Sequence, residues 1–145
     1  MIKIIHPSTE QEWEQYYALR YNVLRKPWGQ PVGSEKDDQE QTSIHLFALY
    51  NGVAAGVCRI QYNSAHQAQI RFMGVDEKFR GCRIGQALLS AAEEIVKANN
   101  RTEIVLQARE VAVKFYESAG YSIVEKSFLM WNTIQHYLMH KAVSS

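Results

Sequence analysis

The sequence predicts a mixed α/β fold: one domain over residues 1–145, with a sheet of about seven strands and helices on both of its faces. Three observations predict it. Two runs rich in strand formers, IHLFALY and VAAGVCRIQY, flank Asn51-Gly52, a dipeptide that suits a type I′ turn because both central residues need positive φ. Farther along, a strand, a glycine-bearing loop and an amphipathic helix follow one another between Ala68 and Asn100. Across the whole chain the hydrophobic periodicity reads β-α-β-β-β-α-β-α-β-β.

Taken in order, Ile2 to Ile5 form a short strand, and Pro7-Ser8-Thr9 with Glu10 and Glu12 supplies cap chemistry and an acidic first turn. The helix that follows carries an apolar stripe of Trp13, Tyr16, Tyr17, Leu19, Tyr21, Val23 and Leu24. It ends near Arg25, because Pro27, Gly29, Pro31 and Gly33 cannot continue it. Ser34 to Thr42 is charged and almost free of apolar residues, which predicts an exposed loop or mobile flap. After the hairpin and a polar turn at Asn63 to His66, Ala68 to Val75 reads as a third sheet strand. Gly74, just before its end, marks a bulge or a close approach of another backbone or a ligand. The next helix places Ile84, Ala87, Leu88, Ala91 and Ile95 on one face, with Glu93, Glu94 and Lys97 elsewhere. Glu103 to Gln107 is a strand, Arg109 to Ala119 a helix, and Gly120 a C′ residue suited to the left-handed conformation. Tyr121 to Met130 and Ile134 to Lys141 pair as a final antiparallel hairpin around Trp131-Asn132-Thr133.

The bulk numbers narrow the function class. A chain of 145 residues with 46% hydrophobic content can bury the core of one domain. With 16 Lys and Arg against 15 Asp and Glu, the net charge is +1, and no global field exists to hold a polyanion; nucleic acid is excluded as the main partner. Cys58 and Cys82 have no CxxC pairing and no His at metal spacing, so no metal is expected and both read as free thiols in a reducing cytoplasm. The N-terminus has no h-region, and nowhere do about 18 apolar residues run together; a soluble cytoplasmic protein with no membrane contact is expected.

A helix N-terminus carries unpaired N–H groups and a partial positive charge, so small residues leading into one make a seat for phosphate. Arg80, Gly81 and Gly85 provide such a loop ahead of the helix that starts near Arg83. The P-loop reading fails, since no Gly-Lys-Ser/Thr follows. The stretch FMGVDEKFRGCRIGQALL resembles the GNAT acetyltransferase motif Gln/Arg-x-x-Gly-x-Gly/Ala behind a strand ending in Val. AREVAVKFYESAGY is similar to the family's second block, Arg-x-Asn-x-x-Ala-x-x-Phe-Tyr-x-x-x-Gly-Phe/Tyr. The two blocks span Phe72 to Tyr121, and the element order outside them also fits the family.

That resemblance implies a GNAT-like fold, a central mixed, mostly antiparallel sheet of about seven strands flanked by about four helices. It implies acetyl-CoA as co-substrate, with Met73, Gly74 and Val75 along the pantetheine arm, Met73 and Val75 offering backbone groups as an added strand would accept them. Arg80, Gly81, Cys82, Arg83, Ile84, Gly85 and Gln86 would surround the pyrophosphate. Two positions depart from the family pattern. Arg83 stands where glycine is usual: it would hinder close approach of the phosphate, or swing outward or onto the phosphates and be tolerated, the reading favoured here. Val111 stands where Asn often makes a polar cofactor contact.

Acetyl transfer needs a neutral amine, a polarised thioester carbonyl and a proton for the departing thiolate. By the resemblance Tyr116 is the general acid, and a phenol with an ordinary pKa of about 10 is protonated at neutral pH. No motif identifies the base. Glu35, Asp37, Asp38, Glu40 and Glu110 are candidates, Arg20 and Arg25 could orient an acidic acceptor group, and His45 and His136 sit in strand-like runs as structural histidines. An acyl-Cys82 route lacks a paired base, so direct attack in a ternary complex is preferred. The acceptor is a small-molecule or peptide amine, and the family resemblance allows a homodimer. Two other readings remain: a non-catalytic acyl-CoA-binding or regulatory domain, prompted by Arg83 and Val111, and an interaction module using Trp13, Tyr16, Tyr17 and Trp28 as exposed anchors rather than core.

Overall fold

The computed structural model describes residues 1–144. Ser145, the last residue of the expected single domain, lies outside the described residues. The elements are β1 (Ile2–Ile5), α1 (Glu10–Leu24), β2 (Ile44–Tyr50), β3 (Val53–Tyr62), β4 (Gln67–Val75), α2 (Ile84–Ala98), β5 (Glu103–Arg109), α3 (Val113–Ser118), β6 (Ser122–Met130) and β7 (Ile134–Ala142), in the order read from the sequence. The seven strands form one sheet in the order β1-β2-β3-β4-β5-β7-β6. β4 and β5 run parallel, Gln67 opposite Glu103 and Ile70 opposite Leu106, whereas β1–β2, β2–β3, β5–β7 and β6–β7 are antiparallel.

Three α-helices, rather than about four, are present among the described residues. Between α1 and β2 there are only two single 3₁₀ turns, Lys26–Trp28 and Glu40–Thr42. Two prolines without amide donors and two glycines with φ of 66° and 102° break any longer helix there.

The chain divides into two compact units. The first comprises Met1–Gln61 and Phe72–Ala92. Here α1 opens on a capping box: Thr9 Oγ1 accepts from Glu12 N at 3.1 Å, and Glu12 Oε1 accepts from Thr9 N at 3.2 Å. Its apolar stripe packs as expected, Tyr16 and Leu19 joining Phe47 and Val57 in a core cluster, with Trp13, Tyr17 and Val23 against it. These aromatics are packing residues, not exposed anchors. The hairpin turn is left-handed at both Asn51 (φ 49°) and Gly52 (φ 84°), as a type I′ turn requires.

The second unit comprises Tyr62–Arg71 and the chain from Glu93 onward. β5 runs two residues farther than the sequence suggests, and the helix expected from Arg109 becomes a 3₁₀ turn, Glu110–Ala112, followed by the six residues of α3. Cross-strand pairing of Ala108 with Tyr137 and Arg109 with His136 keeps those residues extended where local helix propensity alone would not. α3 ends as read: Gly120 has φ 98°, and Tyr121 N donates to Tyr116 O at 3.0 Å. Glu93 of α2 accepts from Tyr121 Oη at 2.9 Å and from Lys141 Nζ at 3.1 Å, tying this half of α2 to β7.

Candidate functional site

The loop into α2 is built by short-range hydrogen bonds. Asp76 Oδ1 accepts from Lys78 N at 3.1 Å, capping a 3₁₀ turn over Glu77–Phe79, and Cys82 N donates to Phe79 O at 3.0 Å. Gly81 then takes φ 85° and Arg83 φ 66°. Ala87 N is bonded to Arg83 O at 3.1 Å, which makes Arg83 the residue before the first turn. The amides of Ile84, Gly85 and Gln86 therefore have no carbonyl within the helix to bond. Ile84 is 1% exposed and anchors the turn, while Arg80, Gly81, Arg83 and Gln86 are exposed, with Cys82 and Gly85 half-buried. The left-handed φ at position 83 supplies a physical reason for the glycine the family motif has there. An arginine tolerates it at a cost of roughly 1–2 kcal/mol.

Two glycines let α1 and α2 approach this region. A Cβ on Gly56 of β3 would lie 2.7 Å from Ile84 Cγ2 and 3.0 Å from Leu88 Cδ1, so α2 sits directly on that backbone. A Cβ on Gly74 would lie 3.1 Å from Val23 Cγ1 and 3.3 Å from Leu24 Cδ2, so α1 covers the end of β4. What comes close to Gly74 is side chains of α1 rather than the backbone or ligand expected there, and the left-handed irregularity of β4 falls at Phe72, φ 54°. The buried stripe of α2 is Ile84, Leu88, Leu89, Ala92 and Val96; Ala87, Ala91 and Ile95 lie at its margin.

The segment 34–42 is not the solvated flap its composition suggests. Arg20 and Arg59 are both fully buried, and that segment supplies their counter-charges. Arg20 Nη1 donates to Glu40 Oε1 at 2.9 Å and to the Glu35 carbonyl at 3.0 Å. Arg59 grips Asp37 through both Nη atoms and donates to Glu40 Oε2 at 2.8 Å. Arg20 Nη2 donates to Tyr16 Oη at 2.8 Å, and that hydroxyl lies 2.8 Å from His45 Nδ1. His45 Nε2 is 2.7 Å from the Glu40 carbonyl, which can only accept, so Nε2 carries the proton and Nδ1 accepts from Tyr16.

Burial of the two arginines dictates this arrangement, since an unpaired buried charge would be expelled. Burial raises the Glu40 carboxyl, but Arg20, its hydrogen bonds and Arg59 outweigh that and hold it below the ordinary glutamate range. A carboxylate so held is a poor proton acceptor, which counts against Glu40 as the base. Burial lowers His45 below the ordinary histidine value and pushes Tyr17, bonded to Glu40, up to about 12. Burial also pushes the Cys58 thiol up to about 12, which makes it inert.

In the second unit, Tyr116 is 7% exposed, with its ring edge-on to Phe115 and Tyr121 at centroid distances of 5.0 and 5.8 Å. Val111 is 85% exposed, a surface residue rather than part of a packed wall. Glu110 accepts from Tyr137 Oη at 3.0 Å. His136 is stacked on Phe128 at 4.3 Å and bonded through Nδ1 to Ile134 O at 3.0 Å, and burial lowers its pKa.

Sequence reasoning missed Arg59, Phe72 and Gly56. A single charge within the apolar run of β3 was the available signal for Arg59; nothing local marks Phe72. Among the described residues no cluster of three His, Cys, Asp or Glu side chains is placed to hold a metal, and no helix is long and apolar enough to cross a membrane.

The model of the acetyltransferase (GNAT) family matches residues 6–121, well over half the chain. The chain belongs to the GNAT acetyltransferase family. A putative acetyltransferase of Bacillus subtilis is 25% identical to this GNAT chain over 137 residues, 92% of each sequence. In structure it is similar to a putative N-acetyltransferase from Lactobacillus plantarum, at TM-score 0.85, 23% identity and 98% of both chains. It is also similar to a GNAT acetyltransferase from Elizabethkingia anophelis with acetyl-CoA bound, at TM-score 0.76, 18% identity and 98% of both chains. As a GNAT protein the chain is an acyltransferase, and its seven-stranded mixed sheet is that of the family.

Proposed function

We propose that residues 1–145 act as one domain that transfers the acetyl group of acetyl-CoA to a primary amine, small-molecule or peptide, by direct attack within a ternary complex. The observation that carries this reading is the Arg80–Gln86 loop: positive φ at Gly81 and Arg83 delivers the unpaired amides of Ile84, Gly85 and Gln86 at the start of α2. Exposed Lys78, Arg80 and Arg83 add positive charge around those amides, in a chain whose net charge is only +1. The acetyl-CoA held by the Elizabethkingia anophelis relative supports the same assignment. Cys82 belongs to the loop through its backbone, and Met73, Gly74 and Val75 take the pantetheine arm.

In the reaction the amine lone pair attacks the thioester carbonyl carbon, the C–S bond breaks, and the thiolate takes a proton from the Tyr116 hydroxyl. The proton shed by the attacking nitrogen as the amide forms passes to solvent, from which the Tyr116 phenolate is reprotonated. The chain works in the cytoplasm without nucleic acid, membrane or metal, and a homodimer is compatible with this reading.

Thiol release from acetyl-CoA across a panel of amines tests the proposal. Wild type turns over at least one amine, and Tyr116→Phe lowers kcat by about a hundredfold or more while leaving the dissociation constant for acetyl-CoA unchanged. An unaltered kcat removes Tyr116 from the mechanism. Failure of calorimetry to detect coenzyme A binding to wild type removes the whole reading.

A further inference from the structure

Phe72 is an aromatic residue in the left-handed region, φ 54°, inside a strand. For a bulky side chain that backbone is an outlier, held only when its surroundings over-determine it. Three guanidinium groups stand close to its ring. Arg20 stands 4.4 Å from the Phe72 ring centroid, Arg59 4.8 Å and Arg25 5.5 Å. Two of the three, Arg20 and Arg59, are 0% exposed, so these are desolvated cation–π contacts, the strong kind. Among the described residues the Nε atoms of Arg20 and Arg59 have no hydrogen-bond partner, although the Nη atoms of both are tied to Glu40, Asp37, Tyr16 and Gln61. The Phe72 ring lies against both guanidinium groups, and the Tyr16 and Tyr17 rings, each 5.0 Å from Arg20, are further electron-rich surfaces on that arginine.

The residues just after Phe72 are bracketed as well. Gly74 lies under Val23 and Leu24 of α1, and Asp76 N donates to Ala55 O of β3 at 2.8 Å. Arg20, Val23 and Leu24 share one face of α1, so the helix that stacks on Phe72 also covers Gly74. Met73, Gly74 and Val75 therefore have their backbone direction set at one end by the Phe72 ring and at the other by the bond from Asp76.

We infer that Phe72 is a positioning residue: clamped by the buried guanidinium groups of Arg20 and Arg59, its ring holds the left-handed kink of β4 and so aims the Met73–Val75 backbone at the pantetheine arm of coenzyme A. The inference rests on the coenzyme reading proposed above. It also gives the buried charge cluster a role. Asp37 and Glu40 pair with the two arginines and hold their guanidinium groups in place beside Phe72.

Calorimetry with two ligands tests it. Coenzyme A uses both the α2 loop and β4, whereas adenosine 3′,5′-bisphosphate lacks pantetheine and uses only the loop. Phe72→Leu keeps apolar volume without the aromatic face and weakens coenzyme A by about tenfold relative to wild type, as expected for loss of desolvated cation–π contacts. Its affinity for adenosine 3′,5′-bisphosphate stays within about twofold, and Phe72→Tyr, which restores a ring face, recovers coenzyme A binding. Equal losses for both ligands in Phe72→Leu, or no loss for either, overturn the clamp. Wild type that binds neither ligand overturns the coenzyme reading itself, and the clamp with it.

Discussion

Arg83 shows how a single residue can depart from a family pattern and still be accommodated. Its φ of 66° belongs to the region glycine occupies without cost, and its side chain points into open solvent, so the strain is local. Arg83→Gly relieves it and raises the free energy of unfolding by roughly 1 kcal/mol, less the chain entropy glycine adds to the unfolded state. Urea denaturation measures this; a destabilised variant would mean that the arginine makes a compensating contact. Glu40 behaves oppositely, because it serves two buried cations at once. Glu40→Gln leaves Arg20 with no carboxylate and Arg59 with Asp37 alone, and costs about 3–5 kcal/mol in the same measurement. Neither effect was fully legible in the sequence. Arg83 stood out only against the family motif, and Glu40 lay in a run whose composition says surface.

At the scale of elements, the seat of α2 decides where its first-turn amides point. Gly56→Ala drives a methyl to within 2.7 Å of Ile84 Cγ2 and 3.0 Å of Leu88 Cδ1, so the helix must lift from β3. Overpacking of this kind costs about 1–3 kcal/mol, and here it also displaces the proposed phosphate seat. The expected result is a lower unfolding midpoint together with weaker coenzyme A binding; a loss of stability with coenzyme affinity intact would separate the helix seat from the ligand. Element type was readable from periodicity throughout, because strands and helices bury stripes of different spacing. Element length was not. β5 outlasts its local propensity through its ladder with β7, and α3 shortens accordingly. The fourth helix implied by family likeness is not present among the described residues, and between α1 and β2, past the helix end that Pro27, Gly29, Pro31 and Gly33 predict, there are 3₁₀ turns.

For the molecule as a whole, the buried cluster couples stability to pH. Glu40 is held below the ordinary glutamate value near 4.5, so the unfolded chain binds a proton more readily; its contribution is complete above that value and is lost as pH falls through the folded one. His45, lowered by burial from 6.5, acts in the same direction at higher pH, since the unfolded imidazole protonates first. Stability therefore falls as pH drops below 6.5 and falls again below 4.5, and Glu40→Gln shrinks the second step, to which Glu12 and Glu103, also held below 4.5, contribute. Urea midpoints across that range check this, and a midpoint independent of pH would contradict it. The sequence by itself determined the element order, both hairpins, the glycine-bearing loop before α2 and, through two linked motifs, the family. These are local features, set by residues near one another in the chain. Only the tertiary structure decided that Arg20 and Arg59 are buried, that segment 34–42 neutralises them and that the kink of β4 falls at Phe72, because each of these depends on charges and rings brought together from α1, β3, β4 and the 34–42 segment.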